Sequence, residues 1–458
     1  MSKILLQGGS IVNPGFATAQ HGDLLIEGER IIKVGDFSVA DAAVQQIDCS
    51  GKLLFPGLVD MHVHITAAPY SHAMLARAGV TSALDLGSHP EAMQQSLANY
   101  GAGLNLGFLH VLVPGETVSG PNPSRSELEK CIDWALSQGA LGIKIIGGHR
   151  PMNAEAIKTC IELCAQRQCW IAHHSGSVET PGNFYGFEES CRLADGNPLH
   201  IAHINSYCRG DSGLSPIEEA HRAIELLKAY PNCRSESYLA LINGTSGRCA
   251  NDVPSSMVTR RCLQRFGYEC TRAGVEKAIQ DGHARVRAND DERKQVYLMT
   301  ADEGLRRYRE MDTNVGLSFE VNQPSSAIPL AIAKNRDGEF VVDALATDGG
   351  AHPRNLTFKL ALCLVEFGAM TLGELTHKTA SRPAELLGLD DRGSLQPGKI
   401  ADIAIVEPNS KEVLSTYAAG QLIFDGDKVC GQGGKLFTHA EKPQIDFPNY
   451  CVKPSWLI

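Results

Sequence analysis

The chain lacks any uninterrupted apolar run near the roughly 18 residues that a membrane span requires, so no membrane-spanning role is expected. It also lacks a basic block, and its formal charge is −10. That balance argues against nucleic acid as the main partner. The opening apolar stretch, Ile4-Leu5-Leu6, is too short for a secretory signal, which makes the cytoplasm the expected compartment. Among 14 cysteines there is no CxxC pair. Their irregular spacing inside apolar segments points to free buried thiols rather than disulfides or an iron–sulfur site. Cys160, Cys164 and Cys169, the nearest approach to a cluster, read as core. No internal repeat or low-complexity tract is present. What remains is 458 residues, 43% hydrophobic and 21% charged, an ordinary globular composition long enough for a barrel plus a smaller unit.

The first 50 or so residues read as short strands at Ile4–Leu6, Ser10–Val12, Asp23–Ile26 and Ile31–Val34. From Leu53 onward the rhythm becomes apolar strand, loop, amphipathic helix, repeated. Eight strands are expected at Leu54–Met61, Val80–Leu86, Leu106–Val113, Leu141–Ile146, Cys169–His173, Leu199–Ile204, Arg234–Tyr238 and Val342–Thr347. Ser215-Pro216-Ile217-Glu218 is a helix start: a cap, a proline at the first helical position and a glutamate closing a capping box. Apolar residues follow it at Ile217, Ala220, Ile224 and Leu227, close to helical period. Asn153 similarly precedes Ile157, Ile161 and Cys164. The segment Val275–Met311 reads as a charged, helical excursion before the eighth strand. The pattern predicts a (β/α)8 TIM-type barrel over 53–392. Residues 1–52 and 393–458 are expected to pack together as a small β-sandwich domain formed by the two termini.

In such a barrel, functional side chains gather at the C-terminal ends of strands. The first strand ends in His62-Val63-His64, whose spacing of two puts both imidazoles on one side. The fourth strand carries Lys144 inside the apolar run Gly142–Ile146, where a charged amine costs several kcal/mol unless paired or neutralised. The fifth ends in His173-His174, the sixth in His203, with His200 an odd number of residues before it, and the eighth in Asp348-Gly349-Gly350. Parity allows only one of His200 and His203 to face the interior from a regular strand, and position favours His203. His173 and His174 face opposite ways, and position does not separate them.

Two histidines, a strand-four lysine, two further histidines and a final aspartate, in that order, resemble the amidohydrolase superfamily. The segments Pro56-Gly57-Leu58-Val59-Asp60-Met61-His62-Val63-His64 and Gly393-Ser394-Leu395-Gln396-Pro397-Gly398-Lys399 carry the same resemblance. It implies two divalent ions, zinc by default, held by His62, His64, Lys144, His173, His203 and Asp348. Lys144 would be carboxylated by CO2, which turns a costly buried cation into an oxygen ligand. The resemblance selects His173 over His174. It makes Asp348 the general base and then the general acid while a metal-activated hydroxide attacks an amide carbonyl. It further implies a homo-oligomer, dimer or tetramer.

Two branches compete for the substrate. Lys144 and Gly79–Gly87 look like the dihydroorotase and hydantoinase branch, which opens cyclic amides. Thr347–Arg354, together with Glu236-Ser237-Tyr238 and Asn243-Gly244-Thr245, looks more like the D-aminoacylases, which cleave N-acyl-D-amino acids. The chain departs from the second branch in having no cysteine near Leu84–Ser88. The expectation is a small-molecule amide hydrolase, first an N-acyl-amino-acid deacylase and second a cyclic amidase. A deaminase and a non-catalytic assembly protein stand behind both. Arg354 could pair with a substrate carboxylate; His149, Arg150 and Tyr238 are further candidate substrate contacts.

Overall fold

The computed structural model describes residues 3–37 and 43–457. Eight parallel strands follow one another around a ring in chain order: Leu58–His64, Val80–Ser88, Ala102–Leu112, Gly142–Ile146, Trp170–His174, Leu199–Ile201, Cys233–Ser237 and a broken eighth. The eighth strand closes the ring in two pieces. Ala344–Leu345 pairs with the seventh strand and Gly349–Gly350 pairs with the first, so residues 346–348 project into the mouth of the barrel. Helices cover the outside, and their starts follow the sequence chemistry. Ser215 accepts from the Glu218 backbone while Glu218 returns to Ser215, and Pro216 occupies the first turn of Pro216–Ala229. Ala220, Ile224 and Leu227 are buried as the period predicts, but Ile217 is exposed on the first turn. Asn153 precedes its helix without capping it; the Glu179 carboxylate accepts from the Ala154 N–H instead.

The barrel interior is divided by height. Val59, Met61, Leu84, Leu86, Leu109, Trp170, Ala172 and Ala344 form an apolar plug in its lower part. The C-terminal tail after Gly433 closes this lower end of the barrel. Gly433–Thr438 adds in parallel to the start of the third barrel strand, and Trp456 sits edge-on to Trp170 at 4.8 Å. Trp456 also donates to the Leu386 carbonyl at 3.0 Å.

The small domain is a separate sheet made by both ends of the chain. Lys3–Ile11 is one strand rather than two, with a register shift between Leu6 and Gly9. Leu53–Pro56 pairs with Ile403–Val406 in this sheet, around a core that includes Leu6, Leu24, Leu54 and Ile403. The passage into the barrel therefore falls at Gly57, not at Leu53. A Cβ on Gly57 would lie 2.4 Å from the Thr81 side chain, so only glycine lets the chain cross so close to the second strand.

The excursion before the eighth strand is not simply helical. Ala284–Asp290, Gln295–Met299 and Gly316–Phe319 form antiparallel pairs, joined by Thr245–Ser246. Helices Met257–Arg265, Arg272–Gln280 and Ala301–Glu310 accompany them around a core of Leu263, Ile279, Val286, Tyr308 and Phe319. Alternation explains the difference. Ala284, Val286 and Ala288 are buried with polar residues between them, a period of two. This inserted unit overhangs the C-terminal mouth. Among the described residues, no helix is long and apolar enough to cross a membrane.

Candidate active site

The first strand delivers two histidines because its register slips between Asp60 and Val63. Below the slip, Val59 and Met61 face the plug; above it, His62 and His64 face the mouth. Asp60 fastens this turn to the broken eighth strand. Its carboxylate accepts from Thr347 Oγ1 at 2.6 Å and from the His62 N–H at 3.1 Å. Burial pushes its pKa up to about 7 despite those bonds.

Asp348 stands across from the two histidines. His62 Nε2 and His64 Nε2 lie 3.3 and 3.1 Å from Asp348 Oδ1. Those ligand atoms converge closely enough to hold one metal ion. Asp348 adopts φ 49° and His203 φ 38°, two left-handed, non-glycine positions at the rim of one cavity. The left-handed turn resolves the parity question. The sixth strand ends at Ile201, so His203 reaches the mouth while His200, below it, still points inward toward Trp170 and Glu236.

Lys144 is buried, and its amine has no hydrogen-bond partner among the described residues. Burial presses its pKa down to about 8, against the pull of Glu236 and Asp348. The lower pKa enlarges the neutral, nucleophilic fraction of the amine relative to an ordinary lysine. Lys144 pairs in register with Ala172, and His174 with Ile146, so His174 shares the inner face with Lys144.

The structure thus reverses the choice within the fifth strand. Trp170 and Ala172 belong to the interior plug while Ile171 packs outward, and His173 follows Ile171. His173 Nδ1 meets Ser190 Oγ at 3.1 Å on the helix behind the strand. His174 lines the cavity, with Nδ1 3.0 Å from His203 Nε2. Burial lowers the pKa of His62 to about 4 and holds His174 and His203 well below the ordinary imidazole range. Neutral imidazoles are the ligand-competent form. Burial alone would raise Asp348, but Arg354, His62, His64 and His203 outweigh it and hold the carboxyl well below its usual value.

Glu236 escaped sequence reasoning as a site residue. On the seventh strand and fully buried, its Oε1 lies 2.6 Å from His62 Nδ1 and accepts from the His203 N–H at 2.8 Å. It fixes which nitrogen of His62 faces Asp348 and anchors the turn that carries His203. The available signal was a lone carboxylate between two serines in a short strand.

The remaining candidates separate by contact. Arg354 is buried and committed: Nη2 lies 2.7 Å from Asp348 Oδ1, Nε donates to the Asp348 carbonyl, and the guanidinium stacks on Tyr238 at 5.0 Å. Tyr238 lines the cavity, with its hydroxyl near Ser206 and Asn322. His149 lines it too, holding Ser256 at 3.0 Å and meeting the His174 ring edge-on. Arg150 points away and pairs with Glu116. Together these groups enclose a cavity of about 390 Å³.

The donor set fits a divalent metal centre. His62 Nε2, Lys144 Nζ and His203 Nδ1 are buried and unbonded among the described residues, and a chelating carboxylate stands beside them. The chain is similar to known proteins of two kinds. Residues 323–429 match the amidohydrolase family. A dihydroorotase of Geobacter metallireducens is 24% identical, over 89% of this chain and 90% of its own. An N-acyl-D-aspartate deacylase of Alcaligenes xylosoxydans xylosoxydans is 22% identical, over 98% and 95%. The solved N-acyl-D-glutamate deacylase of Bordetella bronchiseptica, complexed with zinc and a phosphonate inhibitor, superposes with a TM-score of 0.67 at 16% identity, covering 94% of this chain and 98% of that one.

Proposed function

We propose that this chain, whose residues 323–429 match the amidohydrolase family, is a metal-dependent deacylase of N-acyl amino acids. The observation that carries the reading is the convergence of His62, His64 and Asp348 beside an unpartnered, buried Lys144. His62, His64 and Asp348 would hold one divalent ion. His174 and His203 would hold a second, and carboxylated Lys144 would serve both. Bound zinc would supply Lewis acidity and lower the pKa of water. The protein side of the reaction is then proton handling and orientation. Asp348 takes the proton from the attacking water and returns it to the departing nitrogen. Arg354 holds the Asp348 carboxylate in place through Nη2 and the adjoining carbonyl through Nε. Glu236 keeps His62 Nε2 turned toward the metal position.

The linear-amide reading is favoured by the inserted unit over the mouth and by the deacylase alignment, which spans 98% of the chain. Cyclic-amide opening is the second reading, favoured by Lys144 and by the dihydroorotase relatives. Operation as a cytoplasmic homo-oligomer remains part of the proposal. The test is a mass-resolved hydrolysis screen of zinc-loaded protein prepared with bicarbonate. Splitting N-acyl-D- or L-amino acids into acid and free amine supports the deacylase. A single product heavier by one water, from hydantoins, dihydropyrimidines or cyclic imides, contradicts it in favour of the second reading.

A further inference from the structure

After Lys144 the fourth strand runs through Ile145 and Ile146 into Gly147-Gly148-His149. The chain turns there, with the His149 N–H donating to the Ile146 carbonyl at 2.9 Å. A Cβ on Gly148 would fall 2.1 Å from His174 Nε2, so the turn needs glycine to pass that close to the fifth strand. The turn brings the His149 ring edge-on to His174 at 4.9 Å, within the cavity that His62, His64 and Asp348 also line. The charges of His64, Asp348 and Lys144 all bear on it, so the ring stands beside the reaction centre.

The other nitrogen of the ring is fixed by a chain of hydroxyls in the inserted unit. His149 Nδ1 lies 3.0 Å from Ser256 Oγ, Ser256 Oγ 3.1 Å from Thr245 Oγ1, and Thr245 Oγ1 2.8 Å from Thr259 Oγ1. All three hydroxyl residues are buried, and the chain ends where Thr259 Oγ1 donates to the Ser246 carbonyl at 2.7 Å. A hydroxyl has one proton, and a carbonyl can only accept. The last link therefore sets the sense of all the others. Thr259 gives its proton to Ser246, so Thr245 donates to Thr259, Ser256 donates to Thr245, and His149 Nδ1–H donates to Ser256. Burial lowers the His149 pKa to about 4, so the ring is neutral and carries one N–H. Nε2 is left with a bare lone pair. It has no hydrogen-bond partner among the described residues and is not sealed among protein atoms. In that tautomer it cannot donate to a carbonyl oxygen or an oxyanion; it can only accept.

We propose that His149 Nε2 accepts a hydrogen bond from the N–H of the scissile amide, so that the site selects secondary amides over esters and tertiary amides. The inference rests on the deacylase reading and deepens it: it assigns the residue that recognises the nitrogen side of the bond to be cut. An N–H held on one side by His149 leaves the nitrogen lone pair, which develops as the carbonyl carbon becomes tetrahedral, open to the proton that Asp348 returns. An ester sets an oxygen lone pair against Nε2, and a tertiary amide sets a carbon there. Both leave the buried acceptor chain without the donor it is arranged to meet.

The experiment compares zinc-loaded wild type with His149→Leu and with His149→Gln, whose side-chain carbonyl can accept near the Nε2 position. Each protein is given the N-acetyl amino acid cleaved fastest in the hydrolysis screen and the O-acetyl 2-hydroxy acid that replaces its N–H by oxygen. His149→Leu should lose about 10- to 100-fold in kcat/KM on the amide, keep or gain activity on the ester, and retain its zinc. His149→Gln should recover part of the amide rate. Equal losses on amide and ester overturn the proposal, and so does loss of zinc, which would make His149 a metal ligand. If no linear amide is cleaved but cyclic amides open, the deacylase reading fails by itself, and the same variants are compared on the ring and on its counterpart methylated at the scissile nitrogen. Nitrogen NMR of zinc-loaded protein labelled with 15N-histidine gives an answer without turnover, the His149 signals being those missing from His149→Gln. A proton on Nδ1 with a bare Nε2 supports the assignment; a proton on Nε2 overturns it.

Discussion

At the residue scale, the account turns on which histidine of the fifth strand enters the site. A strand places alternate residues on opposite faces, so Trp170, Ala172 and His174 share one face and Ile171 and His173 the other. His174→Ala should therefore reduce kcat/KM by about 100-fold or more and lower bound zinc, as loss of a ligand in a metal hydrolase does. His173→Ala, which removes a buried ring bonded to Ser190 and to the Gly176 backbone but outside the cavity, should cost less than about tenfold in kcat/KM and leave zinc content intact. Kinetics with metal analysis of both proteins checks this, and the opposite ranking would restore His173. That His62, His64, Lys144, His203 and Asp348 line one cavity was legible because each breaks a local rule: a cation in an apolar run, or imidazoles and a carboxylate at the ends of apolar strands. The fifth-strand choice was not legible by resemblance, although Trp170 and Ala172 held the information in their spacing from His174. Glu236 follows no spacing rule, and only the folded chain brings it against His62 and His203.

At the scale of elements, the barrel was legible from the alternation of apolar strands with capped helices. What could not be read was where an element changes partners. Leu53–Pro56 and Leu58–His64 form one apolar run in sequence yet belong to different sheets, divided at Gly57. Placing a Cβ 2.4 Å from Thr81 forces one of the two strands to move. Gly57→Ala should destabilise the protein by about 1–3 kcal/mol, the usual cost of overpacking, and the double variant with Thr81→Gly should recover much of that loss. Denaturant titration of the three proteins decides it; an unperturbed Gly57→Ala would show that the crossing is slack. The insertion was misread for a related reason. Its helices Arg272–Gln280 and Ala301–Glu310 are charged and conspicuous, whereas the alternating strand Ala284–Asp290 between them is short and polar on one face.

At the scale of the whole molecule, several layers meet around buried charge, and one such group lies far from the reaction centre. Lys378 is fully buried, donates to the Ala331 carbonyl at 2.7 Å and stands over the Phe340 ring at 4.5 Å. Burial lowers its pKa from 10.5 to about 7, with Asp343 resisting. Between pH 7 and 10.5 the unfolded chain holds a proton there that the folded chain does not, so this group makes folding more favourable as pH rises through that window. From pH 7 to 9 its contribution is roughly 1–3 kcal/mol. Denaturation curves at both pH values should show wild type gaining about that much relative to Lys378→Met; parallel behaviour of the two proteins would contradict the assignment. The central claim, however, is the metal centre assembled by strands one, four, five, six and eight. The most direct measurement is an anomalous-scattering crystal structure of zinc-loaded protein grown with bicarbonate. The account predicts two ions about 3.5–4 Å apart, the first on His62, His64 and Asp348, the second on His174 and His203, with carboxylated Lys144 between them. A single ion, with Lys144 an unmodified amine and His174 unligated, would contradict it.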